Sequence, residues 1–503
     1  MSRARPPSRL LCLLLAGAAL GIPALAPAAR AVEPTGTLPA EVRTALKRAQ
    51  LPPEALVAWV AELGPAGVAT PRLRFRAEEP VNPASLMKLF TTGAALELLG
   101  PAWTWSTPVL ATGPVEAGVL QGDLVVQGRG DPTLVIERLW LLLRQLQQRG
   151  VHEVRGDIVL DAAAFAPSAL AAGDFDGEPL KPYNVQPDAL MLNQKTLQLA
   201  FVPDPPRRVA RVSSDVALAG VRIDDSVPLV AAADCGDWRG VLKADFSDPS
   251  RLHFGGAYPV QCGERSWPLA YPEPESFNAR LIGALWHELG GQLGGHVRNG
   301  VAPPHAQPLF VFASPPLAEV VRDINKYSNN VMAQQLFLTL ALQAGAAAPS
   351  AGPEPAAAPP ATPEAARALL RALLRERTGC DQPELVIDNG SGLSRDSRSS
   401  ARCLGAWLQA LWAGPVMPEL VGSLPVTGVD GTTRRPGRAW GAALGRAHLK
   451  TGSLRDSAGI AGYVLSASGR RYVLVAVLAH PDAGAGRGVL DALVQWTARD
   501  GAP

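Results

Sequence analysis

Charge and cysteine are both scarce in this chain of 503 residues. Only 18% of the residues are charged, the formal net charge is +2, and there are five cysteines. A near-neutral chain offers no basic surface for a phosphate backbone, so nucleic-acid binding is not expected. There is no Cys-x-x-Cys pair or histidine cluster, which disfavours a zinc site. The apolar content is ordinary at 47%, so we expect two to four folded domains rather than disorder.

The N-terminus has the three parts of a secretory signal peptide. A basic segment over 1–9 precedes an apolar stretch over 10–20, and small residues follow as far as Ala31. We therefore expect cleavage after Ala31 and export to the periplasm. A membrane anchor is the alternative, but the stretch is short for a span and no charged stop-transfer sequence follows it. We expect no transmembrane anchor elsewhere in the chain.

The four cysteines that follow the signal peptide lie close in pairs along the sequence. In an exported protein this arrangement favours two disulfides, Cys235 with Cys262 and Cys380 with Cys403. Metal binding by these cysteines is the weaker alternative.

The predicted secondary structure changes along the chain. Helix-like and strand-like segments alternate over 38–100, and short strands with turn signals fill 105–300, interrupted by a helix over 136–148. Helix returns over 316–343, and the Ala- and Pro-rich segment 344–363 predicts a surface loop. The remaining predicted elements are helices over 364–377 and 401–412, a strand near 449–454, a hairpin of 460–467 and 471–479, and a closing helix over 490–498.

Ser85 and Lys88 are the strongest candidates for chemistry. Asn82 and Pro83 predict a helix start with Asn82 as its cap, so Ser85 lies in the first turn of a helix that runs to Leu99. Three residues make nearly one helical turn, so Ser85 and Lys88 share a face. A serine hydroxyl becomes a good nucleophile only when a base takes its proton. A lysine can act as that base when burial or nearby cations lower its pKa. The alternative is an ordinary helix start with a surface lysine.

Two further motifs lie downstream. Residues Lys450 to Ser453 read Lys-Thr-Gly-Ser at the start of an apparent strand. Glycine lets a substrate backbone approach, while a lysine and a threonine hydroxyl can hold a terminal carboxylate. Ser328 and Asn330 lie in a helical context, with Ser328 243 residues after Ser85 and 122 before Lys450. Each motif alone is weak evidence for a functional site, and the stronger evidence is the order and spacing of all three.

In this order, the three motifs resemble the penicillin-binding protein and serine β-lactamase superfamily. The separation of about 240 residues between the first two is similar to that of the class C low-molecular-mass penicillin-binding proteins, the D-alanyl-D-alanine carboxypeptidase and endopeptidase family. Segments 124–134 and 388–395 resemble that family as well. The resemblance implies an α+β fold: a serine β-lactamase/transpeptidase-like domain, with an antiparallel sheet flanked by helices, that is interrupted by two nested and mostly β domains.

The expected domain boundaries follow from this resemblance and from the pattern of predicted helices and strands. They are 1–31 for the signal peptide, 32–100 and 306–503 for the catalytic domain I, 101–164 and 256–305 for the inserted domain II, 165–255 for the nested domain III, and 344–363 for a loop within domain I.

The resemblance also implies a serine-type D-Ala-D-Ala carboxypeptidase and D-alanyl-diaminopimelate endopeptidase. Its partners are peptidoglycan stem peptides and cross-links, and its acyl-enzyme forms on Ser85. Lys88 is then the general base, Ser328 relays a proton to the leaving amine, and the backbone N–H groups of Ser85 and Ser453 form the oxyanion hole. The expected substrate-binding residues are Asn330, Lys450, Thr451, Gly452, Arg395 and Asp161. Serine acylation needs no cofactor or metal, and β-lactam antibiotics are expected to bind as covalent inhibitors.

Alternatives remain for the function and for two residues. A β-lactamase is disfavoured by the long insertion, and a catalytically silent peptidoglycan-binding scaffold is disfavoured by the intact motifs. Arg395 is expected to line the substrate pocket, but a surface arginine is the alternative. Asp161 is expected to reach toward the charged side chain of the stem peptide, but a turn aspartate is the alternative.

Overall fold

The computed structural model describes residues 36–64, 69–347, 359–434, 438 and 440–500. The predicted signal peptide over 1–31 lies outside these residues. The helices of the described chain are α1 Ala40–Arg48, α2 Met87–Leu99, α3 Ile136–Gln148, α4 Trp238–Leu242, α5 Pro274–Glu288, α6 Leu317–Tyr327, α7 Asn330–Ala347, α8 Pro363–Thr378, α9 Ala401–Ala413, α10 Met417–Ser423 and α11 Arg487–Ala498.

The strands of the described residues form several separate sheets. In chain order the strands are β1 Leu56–Leu63, β2 Ala69–Phe75, β3 Ser106–Ala111, β4 Val115–Glu116, β5 Val119–Leu120, β6 Leu124–Gln127, β7 Glu153–Val154, β8 Ile158–Asp161, β9 Thr196–Asp204, β10 Val209–Ser214, β11 Arg222–Ile223, β12 Ser226–Val230, β13 Ala244–Asp245, β14 Arg251–Phe254, β15 Tyr258–Pro259, β16 Arg265–Ala270, β17 Gln292–Leu293, β18 Val297–Asn299, β19 Gln307–Ala313, β20 Leu385–Val386, β21 Arg398–Ser399, β22 Ala447–Ser453, β23 Ser457–Leu465 and β24 Arg471–Ala479.

One five-stranded antiparallel sheet joins the two ends of the chain. Its order is β2-β1-β24-β23-β22, so β1 from the N-terminal part pairs with β24 from the C-terminal part. The predicted hairpin is β23 with β24, and the strand predicted near 449–454 is β22. The expected α+β fold, with an antiparallel sheet and flanking helices, is confirmed.

Helices cover both faces of this sheet. Successive side chains of a strand point to opposite faces. In β24, Leu474 and Ala476 pack in one apolar cluster with α1 and α11, whereas Val473 and Val475 pack in another with α2 and α9. Because both faces need apolar side chains, β24 is apolar along nearly its whole length.

The chain between α2 and α6 forms sheets of its own. Two of these sheets have the strand orders β18-β8-β6-β3-β19 and β17-β7-β5-β4. The residues between β8 and β17 in the sequence form two more sheets, with the orders β15-β12-β10-β9-β16 and β11-β14-β13. Strand pairing crosses two of the predicted boundaries. β16 pairs with β9, so the nested sheet continues past 255, and β19 pairs with β3, so the insertion continues past 305. β16 and β19 each pair with a strand that is distant in sequence, and local sequence patterns do not predict such pairings.

The predicted loop over 344–363 also begins too early. Helix α7 continues to Ala347, because alanine has the highest helix propensity. Residues 348–358 lie outside the described residues, and α8 begins at Pro363.

Both predicted disulfides are present. Cys235 is bonded to Cys262, and Cys380, just after α8, is bonded to Cys403 in α9. This pairing replaces the metal-binding alternative for the four cysteines. Within the described ranges, no helix is both long enough and apolar enough to span a bilayer.

Removing the crosslink between α8 and α9 is expected to destabilise the protein. A Cys380→Ala/Cys403→Ala double variant should lose about 3 kcal/mol in free energy of unfolding, because a bridge across 23 residues restricts the unfolded chain. Calorimetry should show a lower melting temperature than for the wild type. An unchanged melting temperature would contradict this expectation.

Candidate active site

Ser85 lies in a 3-10 turn, residues 84–86, that leads directly into α2. Asn82 caps this turn, since its Oδ1 accepts a hydrogen bond from the backbone N–H of Ala84 at 2.9 Å. Ala84 has φ +48°, and the left-handed region costs a residue other than glycine about 1–3 kcal/mol. The α-helix therefore starts at Met87, later than predicted, because the backbone at Ala84 departs from helical geometry.

Two distant segments hold Asn82 in place. Its Nδ2 donates to the Ser394 carbonyl oxygen at 2.8 Å, and its own carbonyl oxygen accepts from Ser457 Oγ at 2.7 Å. Because Ser457 begins β23, these bonds tie the Ser85 turn to the sheet that joins both ends of the chain.

Lys88 is completely buried, and its amine lies next to the Ser85 hydroxyl. Lys88 Nζ lies 3.1 Å from Ser85 Oγ, 2.6 Å from Asn330 Oδ1 and 2.7 Å from the Ser391 carbonyl oxygen. The amide and carbonyl oxygens are acceptors only, so they use two N–H bonds of the amine. In the neutral amine, the lone pair is then left for the Ser85 hydroxyl.

The surroundings of Lys88 favour this neutral form. Burial lowers the pKa of Lys88 well below its ordinary value of 10.5, and the positive charge of Lys450 lowers it further. The fraction of Lys88 able to accept a proton is therefore larger at neutral pH than for an exposed lysine.

Ser328 lies at the junction between α6 and α7 rather than inside a helix, which corrects the sequence prediction. Its φ is +59°, a left-handed conformation that ends α6. Ser328 Oγ accepts a hydrogen bond at 2.8 Å from Nζ of Lys450, which is buried and also donates to the Thr451 carbonyl oxygen at 2.5 Å. Asn330 begins α7 and contacts Lys88, so this one junction reaches both lysines.

Strand β22 passes close to the Ser85 turn at Gly452. A Cβ built on Gly452 would lie 3.1 Å from the Ser85 backbone nitrogen and 2.9 Å from the Pro83 carbonyl oxygen. A larger residue would push the strand away, so glycine permits the approach. Next to it, Thr451 Oγ1 donates to Thr432 Oγ1 at 2.8 Å, and the side chain of Ser453 is exposed.

The loop over 389–392 contributes to the site in a way that was not predicted from the sequence. Asn389 Oδ1 accepts hydrogen bonds from the backbone N–H groups of Ser391 at 3.0 Å and Gly392 at 2.9 Å, which orders the loop that presents the Ser391 carbonyl to Lys88. Gly392 has φ +77°, and a Cβ there would collide with the Ala84 carbonyl. Its Asn-Gly-Ser-Gly sequence indicates a tight turn but not which residue the turn contacts.

Arg395 lies on the rim of this region. It is half exposed, with Nη1 3.7 Å from Asp456 Oδ1 and its guanidinium 4.6 Å from the ring centre of Phe175. Phe175 lies between β8 and β9, so Arg395 contacts a segment that is distant in sequence. Its contact with a substrate stays a prediction.

Asp161 has a structural role. It is only 2% exposed, and its carboxylate accepts hydrogen bonds from Gln127 Nε2 at 3.0 Å, from the Ala163 N–H at 2.9 Å and from the Ala302 N–H at 3.0 Å. Both oxygens are therefore used inside the insertion. The expected contact of Asp161 with a substrate is not supported, and the turn-aspartate alternative describes it better.

Comparison with known proteins gives a consistent result. The sequence model of the D-Ala-D-Ala carboxypeptidase 3 (S13) family matches residues 66–500. A D-alanyl-D-alanine carboxypeptidase from Actinomadura sp. (strain R39) is 28% identical over 402 residues, which cover 77% of this chain and 71% of that protein.

Solved structures share the fold. The crystal structure of penicillin binding protein 4 from Haemophilus influenzae superposes with a TM-score of 0.71 at 21% identity, covering 90% of this chain and 99% of that one. The same protein complexed with a β-lactam superposes with a TM-score of 0.67 at 22% identity and the same coverage.

The pKa of Lys88 is open to direct measurement, because the chain has only seven lysines. In protein carrying ¹³C at lysine Cε, we expect one resonance to titrate well below pH 10.5 and to disappear in Lys88→Arg. Lys450→Gln removes a charge that lowers this pKa, so it should move the midpoint upward. The half-exposed Lys181→Gln is the control and should leave it unchanged. A midpoint at or above 10.5 in the wild type would contradict the effect of burial.

Gly392→Ala should destabilise the protein more than positive φ alone explains. Gly379→Ala is a matched control, because Gly379 has φ +70° and no atom lies within 4 Å of the position that a Cβ would take there. We expect the control to cost about 1–2 kcal/mol. Gly392→Ala should cost clearly more, because its Cβ meets the Ala84 carbonyl. Urea denaturation measures both losses, and equal losses would show that this contact places no constraint on the loop.

Proposed function

This chain belongs to the D-Ala-D-Ala carboxypeptidase 3 (S13) family, and we propose that it cleaves the D-Ala-D-Ala bond of peptidoglycan stem peptides through an acyl-enzyme on Ser85. The proposal rests on the 3.1 Å contact between Ser85 Oγ and Nζ of the buried Lys88. Serine acylation requires a hydroxyl beside a base in its neutral form, and burial favours the neutral form of Lys88 by lowering its pKa well below 10.5.

The family and the class of activity expected from the three motifs are confirmed, since the family match extends over residues 66–500. The chain is a D-Ala-D-Ala carboxypeptidase of this family. The steps assigned below to individual residues are our proposal.

In acylation, neutral Lys88 accepts the Ser85 proton while Oγ forms a bond to the carbonyl carbon of the penultimate D-Ala. The backbone N–H groups of Ser85 and Ser453 stabilise the oxyanion. The close passage of β22 beside the Ser85 nitrogen at Gly452 supports this assignment.

Collapse of the tetrahedral intermediate breaks the C–N bond and releases the terminal D-Ala. Ser328 gives a proton to the leaving nitrogen and takes one from Lys450, which donates to its Oγ at 2.8 Å. Water then hydrolyses the ester and restores the starting protonation of both lysines.

The substrate is bound by groups around this pair. Asn330 Oδ1 is used by Lys88, while its Nδ2 makes only a long contact of 3.4 Å with the Tyr183 carbonyl oxygen, so Nδ2 is available to a substrate carbonyl. The Thr451 hydroxyl, which turns from Thr432 Oγ1 toward the substrate, and the charge of Lys450 bind the terminal carboxylate, and Gly452 leaves room for the peptide backbone. Arg395 lines the outer part of the pocket.

The same steps apply to D-alanyl-diaminopimelate cross-links and to β-lactams. A cross-link presents the same acyl-D-Ala carbonyl and an amine leaving group, which makes the enzyme an endopeptidase as well. A β-lactam offers a strained amide in place of D-Ala-D-Ala, and the β-lactam complex of the Haemophilus influenzae protein supports such binding. The signal-peptide sequence over 1–31 supports a site of action in the periplasm.

The test is release of D-alanine from an acylated peptide that ends in D-Ala-D-Ala. Ser85→Ala should lower kcat by about four orders of magnitude or more. Ser328→Ala should lower it by roughly a hundredfold or more. Ser276→Ala is the matched control, because Ser276 and Asn278 have the same Ser-x-Asn spacing but lie in α5.

Three results would contradict the proposal. A wild-type rate in Ser85→Ala would refute the nucleophile assignment. A wild-type protein that neither releases D-alanine nor forms an adduct with penicillin would be a binding scaffold. Rapid turnover of penicillin without D-alanine release would identify a β-lactamase.

A further inference from the structure

A cavity of about 390 Å³ lies at the end of β22 that is remote from the serine turn. Residues of α9, α10 and the three strands β22, β23 and β24 line it, and it shares no lining residue with the site described above. His448 lines it from β22 and precedes Ser453 by five residues, which is roughly 17 Å at the rise of an extended strand. Cavities that bind small ligands have volumes of about 300–1,000 Å³. This cavity is therefore large enough for a ligand of its own.

The charged side chains that line this cavity are basic. Arg446 directly precedes β22, Arg471 begins β24, and both residues are exposed. Arg446 Nη1 donates to the Ser466 carbonyl oxygen at 3.2 Å, but neither arginine is ion-paired with a residue that the structure describes. The described lining residues include no aspartate or glutamate. The two arginines therefore favour an anionic ligand, and a guanidinium suits a carboxylate because it can donate two parallel hydrogen bonds to it.

His448 adds a hydrogen-bond acceptor to these two donors. Its Nδ1 lies 3.0 Å from the Val421 carbonyl oxygen, and since a carbonyl oxygen only accepts, Nδ1 carries the proton of this bond. Burial lowers the pKa of His448 by more than the bond to Val421 raises it, which favours the neutral ring. In the neutral ring Nε2 is an acceptor, which suits the amide N–H of a peptide.

The other walls of the cavity are apolar. Met417 and Val421 come from successive turns of α10. Trp412 and Tyr463 come from α9 and β23, and their ring centres lie 5.1 Å apart. Leu465, at the end of β23, is 36% exposed. These walls suit small apolar groups, so the ligand that fits best combines carboxylates, amide groups and methyl groups.

We infer that this cavity is a second binding site for peptidoglycan, which takes a stem peptide other than the one being cleaved. The inference rests on the proposed function, because that function supplies the polymer. A stem peptide combines the methyl groups of its alanines with the carboxylates of D-glutamate, diaminopimelate and the terminal D-Ala, joined by amide bonds. These groups match the two arginines, His448 and the apolar walls.

A second site raises the effective concentration of the polymer at the active site. Cross-linked peptidoglycan carries many stem peptides on one molecule, so a stem peptide bound in the cavity keeps others close to Ser85. A short soluble peptide cannot reach both sites and gains nothing from the cavity. Loss of the cavity's charge is therefore expected to slow cleavage of the polymer and to leave cleavage of a short peptide unchanged.

The first measurement separates the cavity from the active site. Protein acylated on Ser85 by benzylpenicillin has its active site filled, and calorimetry then follows its titration with the stem tetrapeptide L-Ala-γ-D-Glu-meso-diaminopimelate-D-Ala. We expect the acylated protein to bind one tetrapeptide. An Arg446→Gln/Arg471→Gln double variant should bind it more weakly by about tenfold or more, the order expected for the loss of charge-assisted hydrogen bonds.

The second measurement compares the polymer with a short peptide. The double variant should cleave purified cross-linked peptidoglycan with a kcat/KM lower by roughly tenfold. Its release of D-alanine from an acylated peptide ending in D-Ala-D-Ala should equal that of the wild type. Arg470→Gln is the matched control, because it removes the same charge from the neighbouring residue, which pairs with Glu62 and Asp500. It should equal the wild type in both measurements.

Several results would overturn the inference while the wild-type enzyme still cleaves. They are the absence of tetrapeptide binding by the acylated protein, an equal affinity in the double variant, and an equal loss of activity on polymer and short peptide. Binding of anionic phospholipid vesicles without any binding of the tetrapeptide would identify a membrane-contact surface and would overturn it as well. If the wild type releases no D-alanine and forms no adduct with benzylpenicillin, the proposed function fails and the inference fails with it.

Discussion

Two lysines buried in one site impose the constraint on which the rest of this structure depends. Lys88 and Lys450 are both fully buried, and a charge removed from water costs several kcal/mol unless it is compensated. Burial and the nearby charge of Lys450 lower the pKa of Lys88 well below 10.5, which favours its neutral form and reduces this cost. Lys450 donates instead to Ser328 Oγ and the Thr451 carbonyl oxygen. The placement of the two amines therefore favours a neutral base beside Ser85.

Placing the amines requires segments from the whole length of the chain. The Ser85 turn comes from the N-terminal part, the α6–α7 junction and the loop over 389–392 follow the insertion, and β22 belongs to the C-terminal part. The central sheet brings these parts together, because β1 pairs with β24 and β24 leads through β23 to β22. The long insertion leaves and returns without interrupting this pairing.

Local features were predictable from the sequence, and long-range contacts were not. Apolar runs separated by a glycine turn indicated the β23–β24 hairpin, and the spacing of Ser85 and Lys88 on one turn placed the two side chains together. The break at Ser328 and the pairing of β19 with β3 depend on partners that local patterns do not reveal. The same holds for the Ser391 carbonyl, which meets Lys88 across 303 residues. Asp161 was expected to contact the substrate because of the family resemblance, which does not show that both of its carboxylate oxygens accept hydrogen bonds within the insertion.

Acylation of Ser85 is expected to depend on the neutral form of Lys88 beside it. The most direct test is the intact mass of the protein after reaction with benzylpenicillin at several pH values, with peptide mapping of the adduct. We expect one penicilloyl group on Ser85 whose rate of formation rises with pH and levels off well below pH 10.5. An adduct on another residue, or a rate that keeps rising to pH 10.5 as for an ordinary lysine base, would contradict it.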